Sequence, residues 1–386
     1  MDLKFTEHHE LIRKTARDFA LEKLAPGAAE RDRNALFPEA QLRELAELGF
    51  CGIILPEEYG GAGLDTISYC IAVEELSRVD ASIGVILSVT NSLVGYPILK
   101  FGTEEQKKKY LPSLASGGML GAFCLTEPEA GSDAGAQVTT AVMEGEYYIV
   151  NGAKHFVTSA QHADLLIVTV VTDRSKGAKG TSSLILKKEI QGIKVQPPEH
   201  KLGIRGSETH AVVFEDCRVP VADRLGREGD GLKIALTALD TGRLGIAAQA
   251  LGIAQASLDL ALQYSHERRQ FGKALKDFQA TQFKLADMAT RIQAGRLLML
   301  QAAWKKDQGE NFTKEAAMAK LFCSETAMWA ANHCVQILGG YGFTVEYPAE
   351  RYFRDAKITE IYEGTSEIQR IVIASKLLSE WARSHA

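Results

Sequence analysis

The stretch IYEGTSEIQR, residues 361–370, sets one carboxylate, Glu363, between an aromatic residue and a glycine, just ahead of a helix start. A carboxylate held away from water has a raised pKa and is a stronger base than a hydrated one, so Glu363 could be the working carboxylate of an enzyme. A purely structural account is also open. Ser366 and Gln369 have the spacing of a capping box, and Gly364 permits a left-handed turn before it. On that account Glu363 is a solvated residue in front of a cap.

Four further stretches carry polar groups at suggestive spacings. FCLTEPEAGSD, 123–133, reads as a strand end followed by a Gly-Ser loop with bare amides and the hydroxyls of Thr126 and Ser132. Such a loop cradles a phosphate or the edge of a flat ring, or is an ordinary turn. HERRQFGKALKDFQ, 266–279, brings arginine forks near Phe271 and Gln279. Those forks suit a diphosphate, or a helix C-terminus facing its own dipole. QILGGYGF, 336–343, ends a helix with two glycines, either as a stop or to bring backbone close to a ligand. DTGR, 240–243, puts Asp240 and Arg243 one turn apart, a local ion pair of little worth if exposed. No G-x-G-x-x-G follows a strand pattern, and H-E-x-x-H, C-x-x-C and G-x-S-x-G are absent. These absences argue against a Rossmann unit, a designed metal site and a hydrolase elbow.

The elements that must position these groups fall into three blocks. Residues 1–117 read as helical, with Pro38 and Gly49 bracketing one helix and Thr103 and Gln106 capping another. Residues 118–230 read as a compact β-domain, with a hairpin turn expected at Asn151-Gly152 and a buried strand at 165–171. Residues 231–386 read as four long helices, 231–267, 275–307, 313–338 and 366–383, in a bundle.

Composition sets the class. The 386 residues are 46% hydrophobic and 24% charged with net charge −5, and no basic tract suits nucleic acid. Two or three cores are expected at this length. The six cysteines read as buried free thiols. The apolar stretch 83–99 is interrupted by Ser88, Thr90, Asn91 and Ser92 and reads as a buried helix rather than a membrane span. The charged stretch MDLKFTEHHELIRK does not read as a secretion signal, so the expected compartment is the cytoplasm.

In combination FCLTEPEAGSD, KLGIRGSETH (201–210), RRQFG, QILGGYGF, YPAERYFRDAKI (347–358) and IYEGTSEIQR resemble the acyl-CoA dehydrogenase family over nearly the whole chain. SIGVILSVTNSL (82–93), LDTGRLGIAAQALGIAQ and EIYEGTSEIQR look closest to the short-chain, butyryl-CoA type. The resemblance implies a mainly α fold with a helical N-terminal domain, a β-barrel-like middle domain and a C-terminal four-helix bundle. It implies FAD, an acyl-CoA substrate, a homotetramer built as a dimer of dimers, and an electron-transfer flavoprotein as acceptor.

The same resemblance implies roles residue by residue. Glu363 takes the α-proton while hydride leaves the β-carbon for flavin N5, and its N–H, with the ribityl chain, meets the thioester oxygen. The flavin would lie against Phe123, Leu125, Thr126, Gly131 and Ser132. Phe156, Val157 and Thr158 would flank the ring, with Thr365, Ser366 and Glu367 on its other side. Arg268, Phe271, Gln279, Gln336, Ile337, Leu338, Gly339 and Gly340 would meet cofactor, Arg268, Gln279 and 336–340 that of a neighbouring subunit. Asp240, Thr241, Gly242, Arg243 and Gly364 would line the substrate path, with Ser132 near the thioester. Isovaleryl-type relatives carry their base where this chain has Gly242, and many relatives have Trp where it has Phe156. No arginine occurs between Arg78 and Arg174 to hold a distal carboxylate, which argues against a dicarboxylic substrate. A 2-methyl-branched substrate, an acyl-CoA oxidase and an inactive CoA- or flavin-binding scaffold are the other readings.

Overall fold

The computed structural model describes residues 5–385. Its first part is built from helices α1 (Glu7–Phe19), α2 (Ala28–Asn34), α3 (Glu39–Glu47), α4 (Thr66–Ser77), α5 (Ala81–Ser88), α6 (Tyr96–Phe101) and α7 (Glu104–Ala115). Thr103 and Gln106 cap α7 reciprocally, each side chain accepting from the other's backbone N–H at 3.1–3.2 Å. A π turn at Val89–Gly95 joins α5 to α6 in one buried run. Its polar donors are satisfied by backbone carbonyls, although Asn91 Oδ1 stays without a partner. Thr90 donates to Ile86 O, Ser92 to Ser88 O, and Asn91 to Leu87 O and Phe50 O. This is how an apolar helix carries hydroxyls without water. Residues 81–101 and 231–267 are each long and apolar enough to cross a membrane, but both lie mostly buried inside the protein.

The middle part is a sheet of β1 (Gly121–Cys124), β2 (Thr140–Glu144), β3 (Tyr147–Thr158), β4 (Leu165–Val171), β5 (Thr181–Lys187), β6 (Ile193–Pro198), β7 (Thr209–Pro220) and β8 (Arg224–Leu225). The order is β6-β7-β3-β2-β4-β5-β8, with β1 parallel to β4. Strands β6 and β8 remain as edges, so the expected barrel is an open sheet. The expected hairpin is also displaced. β3 runs unbroken through Asn151-Gly152, and the β2–β3 turn lies at Gly145-Glu146, where Glu144 pairs with Tyr147. Gly145 at φ +60° supplies the positive φ that a two-residue turn needs. Gly152 instead marks a register shift against β7, and a Cβ there would fall 2.6 Å from Thr139 Oγ1. A glycine in a strand often signals close backbone approach rather than a turn.

The last part holds α8 (Gly231–Glu267), α9 (Gln279–Asp307), α10 (Thr313–Leu338), α11 (Gly340–Phe343), α12 (Ala349–Thr359) and α13 (Ser366–Ser384). Between α8 and α9 a two-strand ladder, β9 (Arg269–Gln270) and β10 (Lys273–Ala274), turns on Phe271-Gly272. The short helices α11 and α12 have no counterpart in the sequence expectation.

Two cores result. One is shared by the N-terminal and C-terminal helices and takes in Leu165, Ile167 and Ile185 from the sheet. The other lies on the opposite sheet face, with Leu166, Val168, Val170, Leu184, Leu186 and Phe214. The alternation along β4 and β5 thus sends successive side chains into different cores, which is why the run 165–171 is buried throughout and apolar except for Thr169. All six cysteines are buried and free.

One ion pair crosses the second core. Lys154 occupies an inward position of β3 and is fully buried. Its Nζ donates to Glu127 Oε1 (2.8 Å), Gln137 Oε1 (2.9 Å) and Leu125 O (3.0 Å). Glu127 also accepts from the N–H groups of Val138 and Thr139. Burial alone would push Glu127 up, but the Lys154 ammonium and those amides outweigh it and hold the carboxyl below its usual range. The network clips the 123–133 loop to β3. Lys154→Met leaves a buried carboxylate without its partner and should destabilise the fold by about 3–5 kcal/mol. Adding Glu127→Gln should recover much of that loss. Chemical denaturation of the two variants measures both, and equal losses would show that the pair is not coupled.

Candidate active site

Glu363 lies in the turn between α12 and α13, in the left-handed region at φ +53°, followed by Gly364 at φ +92°. The expected cap is shifted by one residue. Thr365 is the N-cap, its hydroxyl accepting from the Ile368 N–H, and Ser366 is the first helical residue. Gln369 does not close a capping box. Its Nε2 reaches back to the carbonyls of Glu363 (3.1 Å) and Gly364 (2.8 Å). The side chain that would cap the helix therefore locks the turn ahead of it. On the preceding side, Tyr362 donates to Gln249 Oε1, and Gln249 donates to Ala81 O at 2.8 Å.

The Glu363 residue as a whole is half-buried, but its Oε2 is shut off from solvent and finds no hydrogen-bond partner. It is the oxygen's desolvation that governs its acidity. Burial pushes the carboxyl up to about 8, with Lys320 and then Arg243 pulling against it. The carboxylate occupies the space beside Gly242. A Cβ at Gly242 would fall 2.0 Å from Oε2 and 3.0 Å from Leu93 Cδ2. A side chain at position 242 and the Glu363 carboxylate therefore exclude each other. No backbone carbonyl among the described residues accepts from the Glu363 N–H.

The pair in DTGR is not the exposed one that its spacing allows. Arg243 is buried, and its Nη1 donates to Asp240 Oδ1 at 2.6 Å, while Thr313 donates to Asp240 Oδ2 at 2.7 Å. Arg243 Nε and Thr241 Oγ1 are buried without partners. Burial pushes the Arg243 guanidinium down, and Asp240 and Glu363 oppose that shift. Gly242 and Arg243 thus meet Glu363, and both Arg243 Nε and Glu363 Oε2 are left without hydrogen-bond partners.

The 123–133 loop and the 156–158 segment lie side by side. His155 donates its N–H to Thr126 O at 2.8 Å, and Lys154 reaches Leu125 O. Leu125 and Val157 are buried, Phe123, Thr126 and Thr158 half-buried, and Gly131 and Ser132 exposed. Among the described residues no backbone carbonyl accepts from the N–H of Gly131 or Ser132. Phe156 stands 61% exposed at φ +56°, stacked on His155 at 4.2 Å. Strand β1 carries this platform towards Glu363. A Cβ at Gly121 would touch Val94 of the π turn, and Leu93 of the same turn meets Gly242.

The remaining candidates form a separate cluster. Arg268 caps the C-terminus of α8 and stacks its guanidinium 5.8 Å from the Tyr341 ring, next to Gln336–Gly340. Leu338 is buried and Ile337 half-buried, while Gln279, Gln336, Gly339 and Gly340 are exposed. Phe271 sits at φ +53° on the β9–β10 turn and is 93% exposed. A bulky residue in that backbone region is strained, typically by about 1–2 kcal/mol. Gly242 and Arg268 lie on one helix, separated by roughly 39 Å at 1.5 Å per residue. One chain therefore does not bring this cluster to Glu363. Thr365 and Ser366 flank the Glu363 turn, and Glu367 is exposed.

The sequence reading passed over Lys320, which is buried and donates to Gly364 O at 2.8 Å. A signal was present. Lys320 falls on the same helical face as Ala316, Cys323 and Ala327, all buried. Lys154 gave a similar signal by taking an inward position in a period-2 pattern. Among the described residues no cluster of three metal-ligating side chains occurs.

Comparison with known proteins gives these observations a family. Models of the acyl-CoA dehydrogenase N-terminal, middle and C-terminal domains match residues 6–118, 122–217 and 229–378. The chain is 51% identical over 379 residues to the Mus musculus protein named short-chain specific acyl-CoA dehydrogenase, mitochondrial, covering 98% of this chain and 92% of that one. The structure of butyryl-CoA dehydrogenase from Megasphaera elsdenii superposes with a TM-score of 0.96 at 47% identity, covering 98% of this chain and all of that one. A chain solved in work on the electron transferring flavoprotein of Acidaminococcus fermentans and flavin-based electron bifurcation superposes with a TM-score of 0.97 at 51% identity, again covering 98% of this chain and all of that one. The chain belongs to the acyl-CoA dehydrogenase family and is an FAD-dependent oxidoreductase.

Proposed function

We propose that this enzyme dehydrogenates a short-chain acyl-CoA thioester to the trans-2-enoyl-CoA, with Glu363 as the base that removes the α-proton. The observation that carries the reading is the desolvated, unpartnered Oε2 of Glu363 in a turn whose own N–H is free. A carboxyl pushed up to about 8 is a far stronger base than an exposed glutamate. The free N–H suits the thioester oxygen, where charge develops as the proton leaves. Arg243 and Lys320 supply positive charge near the carboxylate and so favour its ionised form.

The residues present fit FAD. The exposed amides of Gly131 and Ser132 and the outward ring of Phe156 offer the polar edge and the flat face that an isoalloxazine takes, on the platform clipped by Lys154. FAD, when bound, supplies the hydride acceptor for the β-carbon. The Arg268–Tyr341 cluster, too far along α8 to serve the same pocket, suits the cofactor of a second copy, in line with a homotetramer. An electron-transfer flavoprotein as acceptor is supported by the likeness to the chain solved with such a protein as its subject.

Two outcomes test the assigned base. Glu363→Gln should retain yellow flavin and lose at least about 100-fold in kcat, measured with butyryl-CoA and an artificial acceptor. In the unaltered enzyme kcat/KM should rise with pH through about 8, because the base acts only when deprotonated. A Glu363→Gln variant with full turnover ends this reading. Gly242→Ala tests the pocket. Its methyl group meets Oε2, and the displaced carboxylate should cost about 100-fold in kcat/KM with flavin content unchanged.

A further inference from the structure

Lys320 is the one element of the site that the reaction does not itself call for. It lies in α10 among Ala316, Ala317, Ala319, Cys323 and Ser324 and has no exposed surface. A buried ammonium is costly unless paired, and no carboxylate oxygen among the described residues lies within 4.0 Å of its Nζ. Its recorded hydrogen bond is to the Gly364 carbonyl, at 2.8 Å. One turn further along α10, Ser324 Oγ lies 2.8 Å from Thr359 O and 2.6 Å from Lys320 O, its one proton shared between the two carbonyls. Helix α10 thus grips the segment 359–364 at both ends.

That segment needs gripping. Glu363 is a non-glycine residue in the left-handed region, which costs about 1–3 kcal/mol and persists only where the surroundings over-determine it. Gln369 holds the Glu363 and Gly364 carbonyls from the α13 side, and Lys320 holds the Gly364 carbonyl from the α10 side. Titratable groups reach Glu363 from several elements. Helix α8 contributes Arg243, already paired with Asp240, and α4 contributes the phenol of Tyr69. Tyr362 precedes Glu363 in the same turn, and α10 contributes Lys320, which burial pulls down to about 8 while Glu363 opposes that shift, so its ammonium carries full charge below that pH. Of the two cations, Lys320 exerts the larger pull on Glu363, and it is the one without a carboxylate of its own.

We propose that Lys320 is a positioning residue for proton abstraction: it fixes the strained turn through the Gly364 carbonyl and supplies the uncommitted positive charge that stabilises ionised Glu363. This rests on the reading of Glu363 as the base. Lys320 touches neither substrate nor the reacting atoms and acts through the turn and its field.

The test uses flavin-loaded enzyme with Lys320→Met, Lys320→Gln, Lys320→Arg and Glu363→Gln. Thermal unfolding, flavin absorbance and the pH profile of kcat/KM with butyryl-CoA are measured for each. Removing a cation from beside a carboxylate raises its pKa by about one unit or more. Lys320→Met should therefore move the acid limb of the profile upward by about one pH unit, an approximately tenfold loss at pH 7, with flavin retained. Lys320→Gln keeps a donor for Gly364 O and loses the charge, so its limb should move the same way, and it decides the matter where Lys320→Met does not fold. Lys320→Arg should leave the limb near its original position. A lower unfolding temperature or kcat with the limb in place in both neutral variants would reduce Lys320 to packing and overturn the proposal. A fully active Glu363→Gln enzyme would instead overturn the base itself, so the two failures are distinguishable.

Discussion

Removing one carboxylate oxygen from water is the constraint on which the site depends. Desolvation disfavours the charge, and in a fully apolar pocket Glu363 would simply stay protonated. The fold answers with cations rather than with a direct partner. Arg243 is committed to Asp240, and Lys320 is held on a backbone carbonyl. Neither bonds Oε2, so the oxygen keeps its lone pairs free, as the proposed proton abstraction requires. A salt bridge in the same place would stabilise the ion and blunt the base.

The room for that oxygen comes from an absence. Gly242 lets α8 pass close enough that its missing Cβ is the space the carboxylate fills. The same turn of structure joins three parts of the molecule. The π turn sets Leu93 against Gly242 and Val94 against Gly121, so Glu363, the N-terminal helices and the first strand of the sheet meet within one contact layer. Asp355 of α12, just before the Glu363 turn, accepts from the Ile204 N–H at 2.6 Å and ties the far side of that segment to the loop between β6 and β7. The buried Lys154–Glu127 pair then fixes the 123–133 loop relative to β3. The turn that carries Glu363 is thus held by packed helices and the sheet domain.

Much of this was legible along the chain. The long helices of the last block follow from their apolar periodicity, and 231–267 and 313–338 begin and end where that pattern does. The TEEQ cap formed as written because both partners lie within one turn of each other. Glu363 stood out because its neighbours in sequence matched a known pattern. The hairpin did not form at Asn151-Gly152, because cross-strand pairing across twelve residues of β3 outweighs the turn preference of two. The Thr365 cap and the return of Gln369 to two carbonyls likewise exchanged one local option for another.

The sequence by itself determined the helical and extended segments, the residue types able to do the chemistry and the family pattern they make. Those properties rest on neighbours a few positions apart, where spacing translates directly into a shared face or a turn. The tertiary structure decided that the sheet stays open, that Arg243 is buried and that Lys320 faces the turn of Glu363. Desolvation and Coulomb interactions are fixed by whatever lies nearby in space. Lys320 and Gly364 are 44 residues apart in the chain, so their contact exists only once α10 and the turn have packed together.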